Sequence, residues 1–210
     1  MRWLPIHDIA KCIGPDKTHG LLFFHAFSGC DIVSAFRGKG KKSAWQTWNI
    51  FPEVTPVFQK LNTYPVVLEE KDFDAIQKFV VMLYDKNSRE ENVDDCRLDL
   101  FARKQRAFDS IPPTKAALLE HCKRAIYQAA CVWGQSTKRE MEYERPEDWG
   151  WIRDDTDANQ FKVFWSSLPP IAKCCSQLTR CGCKKDCKSR CKCNKLELKC
   201  TQLCSCGCDI

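Results

Sequence analysis

The chain has 210 residues, of which 44% are hydrophobic and 29% are charged. This composition is ordinary for a globular protein, and it excludes wholesale disorder and a collagen-like fibre. The longest apolar runs, such as residues 79–84, are far shorter than the roughly 20 residues that a membrane-spanning helix needs, so we expect no membrane partner.

The net charge of +6 is distributed unevenly along the chain. Residues 1–170 contain 24 basic and 24 acidic side chains, whereas residues 171–210 contain 9 basic and 3 acidic ones. The same tail holds 11 of the 16 cysteines. This division predicts a neutral body followed by a basic, cysteine-rich module.

The body is predicted to be mainly α-helical, with a small C-terminal zinc-cluster module that is poor in regular secondary structure. Apolar periodicity, caps and breakers predict a helical body over residues 1–133, with Asp16 as the N-cap of its second helix and Thr114 as the N-cap of its last. The expected helices cover residues 6–13, 17–29, 42–49, 53–62, 72–83, 94–108 and 115–133.

The last of these helices has a continuous apolar face, which predicts that it packs in the core. The residues of that face are Leu118, Leu119, Cys122, Ile126, Ala129, Ala130 and Trp133. A charged linker is predicted over residues 134–170, and we expect Trp149 and Trp151 to dock it onto the body. A protein-partner site at these tryptophans is the alternative.

Residues 29–44 suggest a contact with phosphate. A tight turn containing Gly38 and Gly40 precedes a helix that has Lys41 and Lys42 in its first turn. Backbone N–H groups at such a turn can approach a phosphate closely. Because lysines are unfavourable beside the positive end of a helix dipole, we expect an anionic ligand to compensate them.

Within residues 1–50, Gly29-Cys30-Asp31 and the turn at residues 37–44 resemble the helix–two-turn–helix region of flap-endonuclease-like (XPG-like, PIN-related) nucleases. The resemblance implies that Asp31 is a metal ligand and that Gly38, Gly40, Lys41 and Lys42 contact duplex DNA. An ordinary helix–turn–helix corner is the alternative. Two-metal nucleases need several clustered carboxylates. In that family most of these carboxylates precede this segment, so Asp31 is only a weak catalytic candidate. His25, in an apolar helix, is expected to be a core residue.

The tail contains nine cysteines in the pattern C-x-C-x3-C-x3-C-x-C-x6-C-x3-C-x-C-x-C. Zinc takes four tetrahedral ligands, so nine thiolates can hold about three zinc ions if some sulfur atoms bridge two metals. The predicted ligands are Cys181, Cys183, Cys187, Cys191, Cys193, Cys200, Cys204, Cys206 and Cys208.

This pattern resembles the tesmin-like CXC (cysteine-rich) domain, which implies three zinc ions, nine cysteine ligands and insertion of a side chain into the DNA minor groove. The chain departs from the family by shorter gaps around Cys187, by Arg190 in place of tyrosine, and by a tighter final step. The last departure leaves Cys174 or Cys175 as alternatives to Cys208.

Basic side chains alternate with the cysteine ligands, so a compact cluster would present them together to double-stranded DNA. Those expected to contact DNA are Lys184, Lys185, Lys188, Arg190 and Lys192. Residues 1–8 have no apolar core and no small-residue cleavage site of a secretory signal. We therefore expect a nuclear or cytoplasmic protein that is not secreted.

The whole chain resembles uncharacterised, mobile-element-derived proteins of invertebrates. Together these features predict zinc-dependent DNA binding by a CXC module on a nuclease-like helical remnant. One alternative is the C-terminal part of a divalent-metal, structure-specific nuclease that uses Asp31. Another is a metal-buffering or purely structural cysteine tail.

Overall fold

A computed structural model of the chain describes residues 3–102, 106–107, 110–157, 160–166, 180–184, 187, 191–195, 199–200 and 204–206. The chain forms two compact units, Met1–Ser166 and Ser167–Ile210. The first unit is built of helices with one short hairpin, and the described part of the second contains a single helical turn, Lys192–Lys195. The prediction of a mainly α fold is confirmed.

The helices of the first unit are α1 (Ile6–Ile13), α2 (Pro15–His19), α3 (Leu21–Phe27), α4 (Lys41–Ile50), α5 (Thr55–Lys60), α6 (Glu70–Tyr84), α7 (Val93–Ala102) and α8 (Lys115–Ile126). A π-helical segment, Tyr127–Val132, and a 3-10 turn, Trp133–Gln135, continue α8. Further 3-10 turns cover Pro52–Val54 and Pro146–Trp149. Strands β1 (Trp151–Arg153) and β2 (Phe161–Val163) form an antiparallel hairpin with Ile152 opposite Lys162.

The predicted second helix is divided in two. Gly20 ends α2 and precedes α3, and a Cβ atom at this position would lie 3.1 Å from the Cβ atom of Phe58. The predicted N-cap at Asp16 is wrong, because the helix already begins at Pro15, whose fixed φ suits the first helical position.

The core of the first unit is aromatic. The Phe58 ring of α5 lies 5.3 Å from that of Phe23, 5.0 Å from that of Trp48 and 5.3 Å from that of Phe79. All four side chains are fully buried, and burial of each stabilises the fold by about 1.5–3 kcal/mol. The indole N–H of Trp48 donates a hydrogen bond to Thr55 Oγ1 at 2.9 Å, so its polar atom is satisfied inside this core.

The apolar face of α8 packs as predicted. Thr114 Oγ1 accepts a hydrogen bond from the Ala117 N–H at 3.2 Å, which confirms the N-cap. Leu118, Cys122 and Ile126 are fully buried, and Leu119 and Trp133 pack against the same core.

Residues 134–166 lie in the same compact unit as the helices. Trp149 packs against the core, as expected for the first of the two tryptophans. The buried guanidinium of Arg124 donates to the carbonyl oxygens of Gly150 and Phe164, each at 3.2 Å, and so joins α8 to the ends of the hairpin. Within the described ranges, no helix is both long enough and apolar enough to cross a lipid bilayer.

Candidate metal centre

Sulfur atoms from distant positions in the tail converge on one another. The Cys181 Sγ lies 3.6 Å from the Sγ of Cys187 and 3.6 Å from that of Cys206. The Cys187 Sγ lies 3.5 Å from the Sγ of Cys200. These separations are far longer than the roughly 2.0 Å of a disulfide bond, so the sulfur atoms are free thiols or metal ligands.

The described cysteines form three overlapping sets of four whose sulfur atoms all lie within 4.8 Å of one another. Cys181 belongs to all three sets, and Cys187, Cys191 and Cys200 belong to two each. The sets are Cys181, Cys191, Cys193 and Cys200; Cys181, Cys187, Cys200 and Cys206; and Cys181, Cys183, Cys187 and Cys191. Because seven cysteines fill twelve positions, several metal ions could be held here only through shared sulfur atoms.

The spacing of the sulfur atoms fits tetrahedral coordination. Four sulfur atoms placed tetrahedrally at about 2.3 Å from a zinc ion are about 3.8 Å apart. Three Sγ–Sγ separations within the sets, Cys181 to Cys187, Cys181 to Cys206 and Cys187 to Cys200, are 3.5–3.6 Å, and no separation within a set exceeds 4.8 Å. The cluster can therefore hold a metal ion, and thiolate donors favour soft or borderline ions such as zinc.

The thiols of the cluster have different pKa values, because a backbone hydrogen bond lowers one and burial raises another. The backbone N–H of Asn194 lowers the pKa of Cys191 to about 6, which favours its thiolate. Burial, followed by the neighbouring Cys204, raises the pKa of Cys193 to about 11. A bound cation would replace the protons and compensate the thiolates that this crowding otherwise disfavours.

The described part of the tail has little other material for a core. Cys181, Cys191 and Cys193 are its buried apolar side chains, and the partly buried ones packed against them are also cysteines. The Cys181 backbone joins the two ends of the segment, because its carbonyl accepts from the Ser205 N–H at 3.2 Å and its N–H donates to Cys204 Sγ at 3.4 Å.

Several predicted tail residues lie outside this geometry. Cys204 is adjacent to the cluster, 3.7 Å from Cys193 between sulfur atoms, but belongs to none of the three sets. Lys184 is exposed, and Lys192 begins the helical turn. The remaining predicted ligands and DNA contacts lie outside the described residues, namely Cys174, Cys175, Lys185, Lys188, Arg190 and Cys208.

In the body, the charge of Lys41 is compensated within the chain. Its Nζ donates to the carbonyl oxygens of Gly29 at 2.6 Å and His25 at 2.8 Å, and to Ser28 Oγ at 3.1 Å. The carbonyl groups at the negative end of α3 therefore compensate the positive charge of Lys41. We had expected an anionic ligand to do so. Lys42 is exposed, and Gly38 has the positive φ of +69° that a tight turn requires.

Asp31 is exposed and belongs to no set of clustered ligand atoms among the described residues. Gly29, two residues earlier, has a φ of +104°, and a Cβ atom there would lie 2.5 Å from the Ala35 Cβ. The positive φ and the close contact with Ala35 by themselves require glycine in the Gly-x-Asp motif. The glycine is therefore no evidence that Asp31 has a catalytic role.

The buried histidine of the body is His121, not His25. His25 is exposed, and its ring lies 5.5 Å from that of Trp133, so the expectation of a core residue is wrong. His121 is 6% exposed and forms hydrogen bonds with Ser34 Oγ at 2.9 Å and with the Phe27 carbonyl at 2.8 Å. Its position three residues after Leu118, on the apolar face of α8, is the signal that could have identified it.

Comparison of the chain with protein-family models, with curated protein sequences and with solved structures finds no match. The assignment of a function therefore depends on the tail geometry, the charge distribution and the spacing of the cysteines.

Proposed function

We propose that the tail binds about three zinc ions and that the chain binds double-stranded DNA through this metallated module. The observation that supports the proposal most directly is the convergence of seven cysteines in overlapping four-cysteine sets, in which Cys187, Cys191 and Cys200 each belong to two sets. Because the ions share sulfur atoms, a short segment can hold three of them. Metal binding also supplies stability that the tail's few apolar residues cannot.

The charge of the metallated module favours a nucleic-acid partner. Three zinc ions and nine thiolates together carry about −3, because each ion contributes +2 and each thiolate −1. The basic side chains of residues 171–210 exceed the acidic ones by six, so the module keeps a charge of about +3. Exposed Lys184 and the basic residues that follow it would face DNA phosphates, while Arg190 suits a narrow minor groove. With this function, we expect the chain to act in the nucleus rather than in the cytoplasm, the two compartments that the sequence predicts.

If ligands are shared, different cysteine substitutions should remove different amounts of metal, which is not expected of a tail whose cysteines bind metal independently. Cys181 belongs to three sets and Cys183 to one, so Cys181→Ser should remove more metal than Cys183→Ser. We expect the full chain to bind about three zinc ions by native mass spectrometry, with a partial loss in the Cys183 variant and a nearly complete loss in the Cys181 variant. Cys12→Ser, at an exposed body position, is the control and should keep all the metal.

The same variants connect the metal to DNA binding. The affinity for duplex DNA should decrease in the order of the metal content, with the Cys181 variant weakest. Equal metal loss in both tail variants would contradict the shared-ligand arrangement. Normal metal content without DNA affinity would instead identify a structural or metal-buffering tail.

A further inference from the structure

Two basic side chains from separate segments of the body, Lys39 and Arg106, contact Tyr84 at the C-terminal end of α6, and a third, Lys86, lies two residues further along the chain. The Lys39 Nζ lies 5.4 Å from the centre of the Tyr84 ring. Arg106 Nη1 donates a hydrogen bond to the Tyr84 carbonyl at 3.1 Å. Lys86 is exposed and follows Tyr84 by two residues. We call Lys39, Lys86 and Arg106 the basic cluster.

The side chains of the basic cluster are close enough to influence one another. Burial lowers the pKa of Lys39, and the charges of Arg106 and Lys86 lower it further. Asp85 acts in the opposite direction and raises this pKa. The positive charges therefore repel one another, and among the described residues Asp85 is the carboxylate that acts on Lys39.

The end of α6 alone does not explain this arrangement. A helix C-terminus carries about −0.5 of a unit charge, and Asp85 adds one negative charge. Together these two contributions, about −1.5, are smaller than the three positive charges of the basic cluster. An ion pair between surface groups stabilises by only about 0–1 kcal/mol, so stability gives little reason to bring three cations together.

The backbone beside the basic cluster faces open space. Lys39 lies between Gly38 and Gly40, and a Cβ atom at either glycine would meet no described atom within 4 Å. A bulky anion can therefore approach the backbone of the turn on either side of Lys39.

We propose that Lys39, Lys86 and Arg106 bind the phosphate backbone of duplex DNA, as a second contact that needs no metal. The inference rests on the proposed function only for the identity of the partner. Its residues differ from those that the sequence predicted, because Lys41 is engaged with α3.

The test uses the full chain in a metal chelator, so that the tail module is disabled, and measures anisotropy on a duplex over a range of salt concentrations. The test variant is Lys39→Gln/Lys86→Gln, which leaves the Arg106 hydrogen bond intact. The control, Lys71→Gln/Lys115→Gln, removes two charges from exposed lysines elsewhere on the body. Thermal melting by circular dichroism verifies that both variants fold.

We expect the test variant to weaken metal-free binding several-fold and to reduce the log–log salt slope by about 2, since each phosphate contact contributes about 0.9. The control variant should keep the wild-type slope. No DNA binding by the metal-free chain, or equal slopes for all three proteins, would overturn this inference. A parallel titration of the wild-type chain with zinc measures the metal-dependent increase in affinity and tests the proposed function separately.

Discussion

The ring of His121 joins α8 to the loop that follows α3. A carbonyl oxygen can only accept a hydrogen bond, so the bond to Phe27 requires the proton on Nε2. Nδ1 then accepts from the hydroxyl of Ser34. Both ring nitrogens are satisfied in the neutral form, whereas protonation would reverse the bond, with Nδ1–H donating to Ser34 Oγ, and would place a buried charge among aromatic rings.

This arrangement makes the stability of the body pH-dependent. Burial lowers the pKa of His121 to about 4, against about 6.5 in an unfolded chain. Between these values the unfolded state binds more protons, so the free energy of unfolding decreases as pH falls. Between pH 7 and pH 5, urea denaturation should show wild type losing about 2 kcal/mol more than His121→Gln, whose side chain does not titrate. Equal losses in the two proteins would show that His121 is not the group responsible.

Periodicity predicted the buried face of α8 but not the role of this histidine. Leu118, Cys122 and Ile126 are apolar, so their burial follows from their spacing alone. His121 is buried because Phe27 and Ser34 satisfy it, and both partners are more than 80 residues away in sequence. A local pattern contains no information about such partners.

At the scale of elements, the attachment of the β1–β2 hairpin depends on Arg124. Its guanidinium is 3% exposed and bridges the Gly150 and Phe164 carbonyls. The Phe164 N–H in turn donates to the Gly150 carbonyl at 3.0 Å, which closes the base of the hairpin. A two-stranded hairpin is marginally stable by itself, so this contact to α8 should determine whether it forms.

Arg124→Leu should therefore release the hairpin while α8 stays folded. The Phe164 carbonyl loses the donor that Arg124 supplies, and the Gly150 carbonyl keeps only the Phe164 N–H, which costs about 1–3 kcal/mol in total. Native-state hydrogen exchange should show faster exchange of the Phe164 amide and little change at Ala125. Arg139→Leu, at an exposed position, is the matched control. Unchanged protection of Phe164 would contradict the role of Arg124.

The helices were more predictable than the hairpin for a physical reason. The bounds of α1 and the N-cap of α8 follow from residues within one or two turns. Each strand of the hairpin has three residues and lies in a charged segment, so no alternation marks it. The division between α2 and α3 depends on packing of Gly20 against Phe58, which is a tertiary effect.

At the scale of the whole molecule, the two units rely on different sources of stability. The first has an aromatic core, centred on residues such as Phe58 and Trp48, whereas the described part of the second buries cysteines. Cysteine spacing alone predicted a metal cluster. It did not show which cysteines converge, because Cys181 and Cys206 meet only after the segment folds back on itself.

We propose that metal in the tail confers DNA binding, and salt-titrated anisotropy of the full chain on duplex DNA, with zinc and with chelator, measures this dependence. We predict that zinc raises the affinity and that the zinc-dependent part decreases steeply with salt, with a slope that corresponds to about three to five phosphate contacts. Identical binding curves with zinc and with chelator would contradict the claim.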